Sequence, residues 1–205
     1  MNKQEQQEAV ISKYIHGNPP ATMYDIGVGN KSEWKTLGAI YPEMKIYGCE
    51  PLAEYIPELD DFNHPLFRFA ITGSTGYRTI YFDPSDMKTA SLTKCKSAKM
   101  KKQVQTITLD QFDQIQEKPK RILLWMDIEG SELIALKSGR ELLESHRVRW
   151  INLEVRRAGF ERAGWCSAKE IHDFLEGFGY KKVTEYNRHH EHMDVIYVNR
   201  GELKS

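Results

Sequence analysis

The chain has 205 residues, 40% of them hydrophobic and 11% aromatic, enough apolar material for one core and a single domain over residues 1–205. Lysine plus arginine and aspartate plus glutamate both number 29, so the net charge is zero and gives no electrostatic argument for nucleic acid or an anionic membrane. The three cysteines, Cys49, Cys95 and Cys166, form no CxxC pair and suit reduced thiols better than a disulfide framework; with no signal-like apolar core at the start and no run near the ~20 apolar residues of a membrane span, a soluble cytoplasmic protein is expected.

In chain order, residues 3 to 16 carry a modestly amphipathic helical pattern (Val10, Ile11, Tyr14, Ile15), stopped by Asn18, Pro19 and Pro20. Met23 to Ile26 read as a short buried strand, followed at once by Gly27-Val28-Gly29-Asn30 and a helix from about Lys31 to Ile40. A glycine turn between strand and helix lets backbone N–H groups approach a ligand, although glycine there also serves a positive φ alone. The turn lacks the third glycine of a dinucleotide fingerprint. A second strand, Lys45 to Cys49, ends in Glu50-Pro51. The proline keeps Glu50 extended, and an acid about 20 residues past a glycine turn can accept hydrogen bonds from ribose hydroxyls.

Residues 52 to 61 suggest a short helix and Leu66 to Ile71 a third strand, whose end at Ile71 could flank a base. After the turn Gly73 to Gly76, Tyr77 to Phe82 alternates as a hairpin partner. Residues 83–102 are the least regular, with Lys94, Lys96, Lys99, Lys101 and Lys102. They read as a mobile lysine-rich loop, either plain solvated surface or, through Lys94 and its neighbours, an attractor for an anionic substrate. Strand character returns at Gln103 to Thr108, and Leu109-Asp110 opens a short helix before Pro119.

Arg121 to Glu132, RILLWMDIEGSE, is the most informative stretch. Ile122 to Met126 form an uninterrupted apolar run, as in a strand covered on both faces. Asp127 and Glu129 follow, then Gly130 and a helical pattern over SELIALKSGRELLESH, with Ser131 as a plausible cap. If strand geometry persists, Asp127 and Glu129 share a face at the carboxyl end of a strand, where open α/β sheets bind ligands. Arg149 to Val155 is a fifth strand with Glu154 near its carboxyl end, either a third acid on that rim or a partner for Arg156 or Arg157. Ser167 to Gly177 is an amphipathic helix, and strands from Tyr180 and over Met193 to Val198 close the chain. Between them lie His189, His190, His192 and Asp194, which admit a metal reading, a polar turn, or one histidine, His192, reaching a substrate.

Alternating strands and helices imply a mostly parallel sheet with helices on both faces, and the short final connection implies an antiparallel last strand. With the D-x-G-x-G turn and Glu50, this resembles the Rossmann-like class I S-adenosylmethionine-dependent methyltransferases. The series YDIGVGNKSEW, IYGCEP, TITLDQF, LLWMDIEGSELIALKSG, INLEV and FLEGFGY resembles the FkbM methyltransferase family over residues 20 to 198, most specifically in MDIEGSE and LKSG.

The resemblance implies a seven-stranded sheet with an inserted β-hairpin and S-adenosyl-L-methionine as cofactor. It implies that Asp25, Gly27 and Gly29 surround the methionine part, that Glu50 holds the ribose and that Asp127 lies near the sulfonium. The implied reaction is O-methylation of a sugar, glycan or natural product. Glu129 is the candidate base, with Asp127 as alternative base or positioning group, and Glu154, His192 and Lys94 are candidate acceptor contacts. No resident metal is expected, although three hard oxygen donors, Asp127, Glu129 and Glu154, would suit Mg²⁺. N-methylation and a non-catalytic cofactor-binding module remain alternatives. A nicotinamide oxidoreductase is disfavoured by the missing third glycine.

Overall fold

The computed structural model describes residues 13, 15, 18–29, 33–94, 97–157, 165–186 and 190–202; the N-terminal helix expected over residues 3–16 lies largely outside them. The large sheet has seven strands. β1 (Thr22–Ile26), β2 (Lys45–Cys49), β3 (Leu66–Phe67), β8 (Ile122–Met126) and β9 (Val148–Arg156) run parallel, while β11 (His192–Asn199) is antiparallel to both β9 and β10 (Tyr180–Tyr186). Their order is β10-β11-β9-β8-β1-β2-β3. The direction of strand addition therefore reverses between β1 and β8, the switch point at which such sheets open a crevice.

Every residue of β1 and β8 is buried, as strands covered on both faces require. Tyr24, Ile26, Leu124 and Met126 join one core layer and Met23, Leu123 and Trp125 the other. Among the described residues the helices are α1 (Glu33–Ile40), α2 (Leu109–Ile115), α3 (Glu132–Lys137), α4 (Arg140–Glu144) and α5 (Ala168–Gly177). Capping boxes start α2, where Thr108 and Gln111 exchange bonds, and α5, where Ser167 and Glu170 do. None of the described helices is long and apolar enough to cross a membrane.

Four segments differ from the sequence expectation. Leu66 to Ile71 is two strands rather than one: Leu66–Phe67 pairs with β2, and β4 (Ala70–Ile71) pairs with β7 (Met100–Ile107) in a second sheet. That sheet has the order β4-β7-β5-β6, with β5 (Gly76–Asp83) antiparallel to β7 and β6 (Asp86–Ser91). The expected hairpin is thus formed by β5 with β6 and β7, not with Leu66–Ile71. Residues 83–102 accordingly hold a strand and the start of another. Their turn is tied by Asp83, whose Oδ1 accepts from Ser85 N (2.9 Å) and Ser85 Oγ (2.6 Å) while its other oxygen pairs with Lys99 (2.7 Å); Lys99 and Ser85 hold the Asp83 pKa down at about 2. Residues 52–61 form two 3₁₀ turns, Ala53–Tyr55 and Pro57–Asp61, because Pro57 lacks the N–H to continue a helix.

The helix expected after Ser131 breaks at Ser138-Gly139. A Cβ on Gly139 would sit 2.6 Å from Leu109 Cδ2. Ser138 Oγ accepts from Leu109 N (2.9 Å), and the Asp110 carboxylate accepts from Glu141 N (3.2 Å) and Leu142 N (2.9 Å). Asp110 thereby caps α4 from another element.

At the opposite end of the sheet from the crevice, Asp113 is 3% exposed and accepts from Tyr24 Oη (2.9 Å) and Arg147 Nη1 (2.9 Å), with Arg147 Nη2 on its second oxygen. Removing the guanidinium strands a buried carboxylate, so Arg147→Ala is expected to lower stability by roughly 3–5 kcal/mol. Tyr24→Phe, which deletes one bond to a charged acceptor, is expected to cost about 1.5–3 kcal/mol. Urea unfolding of the two variants checks both values and their order.

Candidate active site

The crevice is built from three turns at the carboxyl ends of β1, β2 and β8. In the first, Gly27 (φ +85°) bends the chain away from β1, and its N–H and that of Val28 both reach Cys49 O (2.9 and 3.3 Å). A Cβ at Gly27 would lie 2.1 Å from Asp127 O, so only glycine lets the β1 turn pass the end of β8. Gly29 (φ +55°) donates its N–H to Glu50 Oε2 (3.0 Å), and Glu50 Oε1 accepts from Leu52 N (2.9 Å). The Glu50 carboxylate, 7% exposed, therefore joins the first turn to the second. Burial pushes the neighbouring Cys49 thiol up, which keeps it neutral.

The third turn follows β8. Asp127 N still bonds Ile26 O (3.0 Å), but Glu129 adopts φ +52° and Gly130 φ +97°. Strand geometry does not persist, so Asp127 and Glu129 meet through a turn and not through strand alternation. Ser131 makes no side-chain cap to α3. The satisfying acceptor is Glu132, whose Oε1 takes the N–H groups of Ile128 (3.1 Å) and Gly130 (3.2 Å). Ser91 of β6 donates its hydroxyl to Glu129 O (2.9 Å), latching the small sheet onto the same turn.

The carboxylates of Asp127, Glu129 and Glu154 bring oxygens within 4.8 Å of one another, close enough to share a polyol, an ammonium group or a cation. His192 Nε2 lies 3.6 Å from Glu154 Oε1. Arg156 pairs with Glu191 (2.8 Å) and approaches Glu129 (3.9 Å).

The crevice encloses about 700 Å³ out to its open mouth, within the range of small-molecule sites. Gly27, Gly29, Glu50, Ile71, Asp127 and Glu129 all line it. Phe69, Ile80, Met87 and Leu92 give it an apolar wall supplied mainly by the small sheet. Asp25 is buried at the end of β1 and stands outside the lining, as do Glu154 and His192. Lys94 is exposed, two residues beyond Leu92, and also outside it. His189 lies outside the described residues. Sequence reasoning missed Glu132, Ser91 and Arg156. Only Glu132 carried a signal, an acid in the first turn of a helix entered through a glycine.

The model of the methyltransferase FkbM domain family matches residues 28–182. The crystal structure of a methyltransferase FkbM from Methylobacillus flagellatus KT superposes with a TM-score of 0.57 at 14% identity, covering 87% of this chain and 43% of that one. The chain thus spans less than half the length of that relative. A precorrin-6y C5,15-methyltransferase from Geobacter metallireducens GS-15 gives 0.49 at 13% identity, covering 97% and 90%. Magnesium protoporphyrin IX methyltransferase from Synechocystis PCC 6803, solved with bound SAM, gives 0.46 at 11%, covering 96% and 79%. No curated protein matches in sequence. The sheet order and the first of these structures agree on a Rossmann-like class I methyltransferase fold.

Two outcomes follow from this geometry. Gly27→Ala combines a clash with a backbone carbonyl and a positive φ, and is expected to cost about 3 kcal/mol or more in urea unfolding. Glu132 is 3% exposed, and burial, with the charge of Asp127 adding, raises its pKa from 4.5 to about 7 against the backbone N–H bonds that lower it. A raised folded pKa means that its contribution to stability is complete below about 4.3 and is lost as pH climbs through 7, about 3 kcal/mol in all. Glu132→Gln keeps a carbonyl for the two N–H groups and does not ionise. Relative to it, the wild type should lose that stability between pH 4.5 and 7.5, measured by denaturant unfolding across the range.

Proposed function

Since the chain belongs to the methyltransferase FkbM domain family, we propose that it transfers a methyl group from S-adenosylmethionine to a hydroxyl of a sugar, glycan or natural product. One observation carries the reading: a single crevice runs from the Gly27–Gly29 turn and Glu50 to Asp127 and Glu129. It joins a nucleoside-type cradle to a group able to take a proton.

The residues suit the cofactor. A Cβ on Gly29 would meet nothing closer than Gly27 O at 3.8 Å, so a ligand can lie directly on that backbone. The N–H bonds from Gly29 and Leu52 fix the Glu50 carboxylate without using all of the lone pairs such a group offers to a ribose diol. Asp25 and Asp127 place negative charge near a donor that carries both an ammonium and a sulfonium.

S-adenosylmethionine supplies a methyl carbon already activated for in-line displacement. The chain's task is to align the acceptor oxygen and exclude water, for which the apolar wall of Phe69, Ile80, Met87 and Leu92 serves. Glu129 takes the hydroxyl proton as the C–O bond forms, and Asp127 orients the reacting groups. Ile71 borders the base, and Glu154 and His192 hold further acceptor hydroxyls, with Lys94 available to an acceptor that extends past Leu92. A neutral amine needs no base, so a carboxylate in the crevice favours a hydroxyl over an amine.

Calorimetric titration of S-adenosylmethionine should give saturable binding to the wild type, weakened at least about tenfold in Glu50→Ala, the loss of a bidentate ribose contact. No heat and a flat thermal-shift response in the wild type would remove the methyltransferase reading. Once an acceptor is in hand, Glu129→Gln should lower kcat by about 10²–10⁴ with cofactor binding unchanged. An unchanged kcat would point to an amine acceptor, and no turnover by the wild type with any acceptor to a non-catalytic binding module.

A further inference from the structure

Three carboxylates gathered within 4.8 Å repel one another, and a positive charge beside them offsets that repulsion and holds them together. Arg156 is placed to be that charge. It is 7% exposed, lies two residues beyond Glu154 on β9 and so on the same sheet face, and its Nη2 is 3.9 Å from Glu129 Oε2. Its guanidinium lies over the Trp165 ring, 4.5 Å from the centroid. Trp165 is in turn seated on Gly130, where a Cβ would come within 2.3 Å of the ring. The contacts close a circuit, from Glu129 to its neighbour Gly130, to Trp165, to Arg156 and back to Glu129. Arg156 Nη1 holds Glu191 at 2.8 Å, and its Nε has no acceptor among the described residues.

We propose that Arg156 is the resident counter-cation of the Asp127–Glu129–Glu154 cluster, occupying the electrostatic role that a divalent ion would otherwise fill, and is thereby the positioning residue that keeps Glu129 an oriented carboxylate. The counter-ion role stands on the geometry alone; its catalytic consequence rests on the methyl-transfer reading above. Among the described residues, the charged groups around this turn include Asp127 and Glu132 on its own turn and helix, Glu154 and Arg156 on β9, and Glu191 and His192 at the start of β11. Arg156 is the residue among these that carries a permanent positive charge.

The test uses the full chain with Mn²⁺ as probe, followed by calorimetry and electron paramagnetic resonance. The wild type and Arg156→Lys, which retains the charge, are expected to show no saturable Mn²⁺ binding up to about millimolar concentration, the weak end of oxygen-ligand sites. Arg156→Gln is expected to bind Mn²⁺ at least tenfold more tightly than the wild type, and Arg156→Gln/Glu154→Gln to lose that gain. Tight binding by the wild type that Glu154→Gln abolishes would overturn the proposal, as would a folded Arg156→Gln that binds no more than the wild type. If Arg156→Gln does not fold, Glu129→Gln in the same chain should restore its melting transition; failure to do so would assign Arg156 to Trp165 packing alone and overturn the proposal equally. S-adenosylmethionine titration of the same variants separates this result from the cofactor reading, because the metal outcome does not depend on it.

Discussion

The crevice depends on a side chain that is missing. At the switch point of the sheet two adjacent strands, β1 and β8, deliver their turns into the same space, and the carbonyl of Asp127 occupies the position a Cβ of residue 27 would need. Glycine there allows the backbone of the first turn to lie against the end of β8. That contact brings Glu50 and Glu129 into the lining of one cavity. Any side chain would push the turns apart, and Glu50 would part from Glu129.

The second turn-forming device is electrostatic. Glu132 is buried, and its carboxylate accepts two N–H groups from the irregular backbone between β8 and α3. Irregular backbone with positive φ at Glu129 and Gly130 leaves donors that no strand or helix satisfies, and a buried donor without a partner is costly. Glu132 meets that need, so a buried acid with a raised pKa serves the geometry of the turn. Arg156 and Trp165 bracket the same turn from β9 and from the approach to α5.

Much of this was legible in the sequence. The apolar runs Met23–Ile26 and Ile122–Met126, each bounded by glycine and acid, identify central strands and the end of the sheet at which the crevice opens. Glu50 is visible through its spacing from the glycine turn. What could not be read were long-range satisfactions. Nothing local says that Asp110 caps a helix thirty residues on, that Ser91 bonds Glu129 O, or that Trp165 needs Gly130. The segment 83–102 misled because lysines and a proline suggest a loop, whereas the Asp83–Ser85 turn between β5 and β6 is a short-range motif that joins two strands. The motif pieces TITLD and LKSG, which carry part of the family resemblance, interlock with each other through Leu109, Asp110, Ser138 and Gly139. Their chemistry is capping and close packing.

The division of Leu66–Ile71 between two sheets has a consequence for how the cavity can change. The chain leaves the large sheet at Phe67 and builds strands β4 to β7 in one uninterrupted stretch before α2. Ile80, Met87 and Leu92, on the wall of the crevice, belong to that stretch, whereas Gly27, Glu50, Asp127 and Glu129 do not. The two halves of the cavity are therefore encoded by separable pieces of gene. Insertions, deletions or recombination between Phe67 and Leu109 can reshape the apolar wall while the turns that form the floor stay fixed, so one side of the cavity is free to drift at a rate the other cannot share.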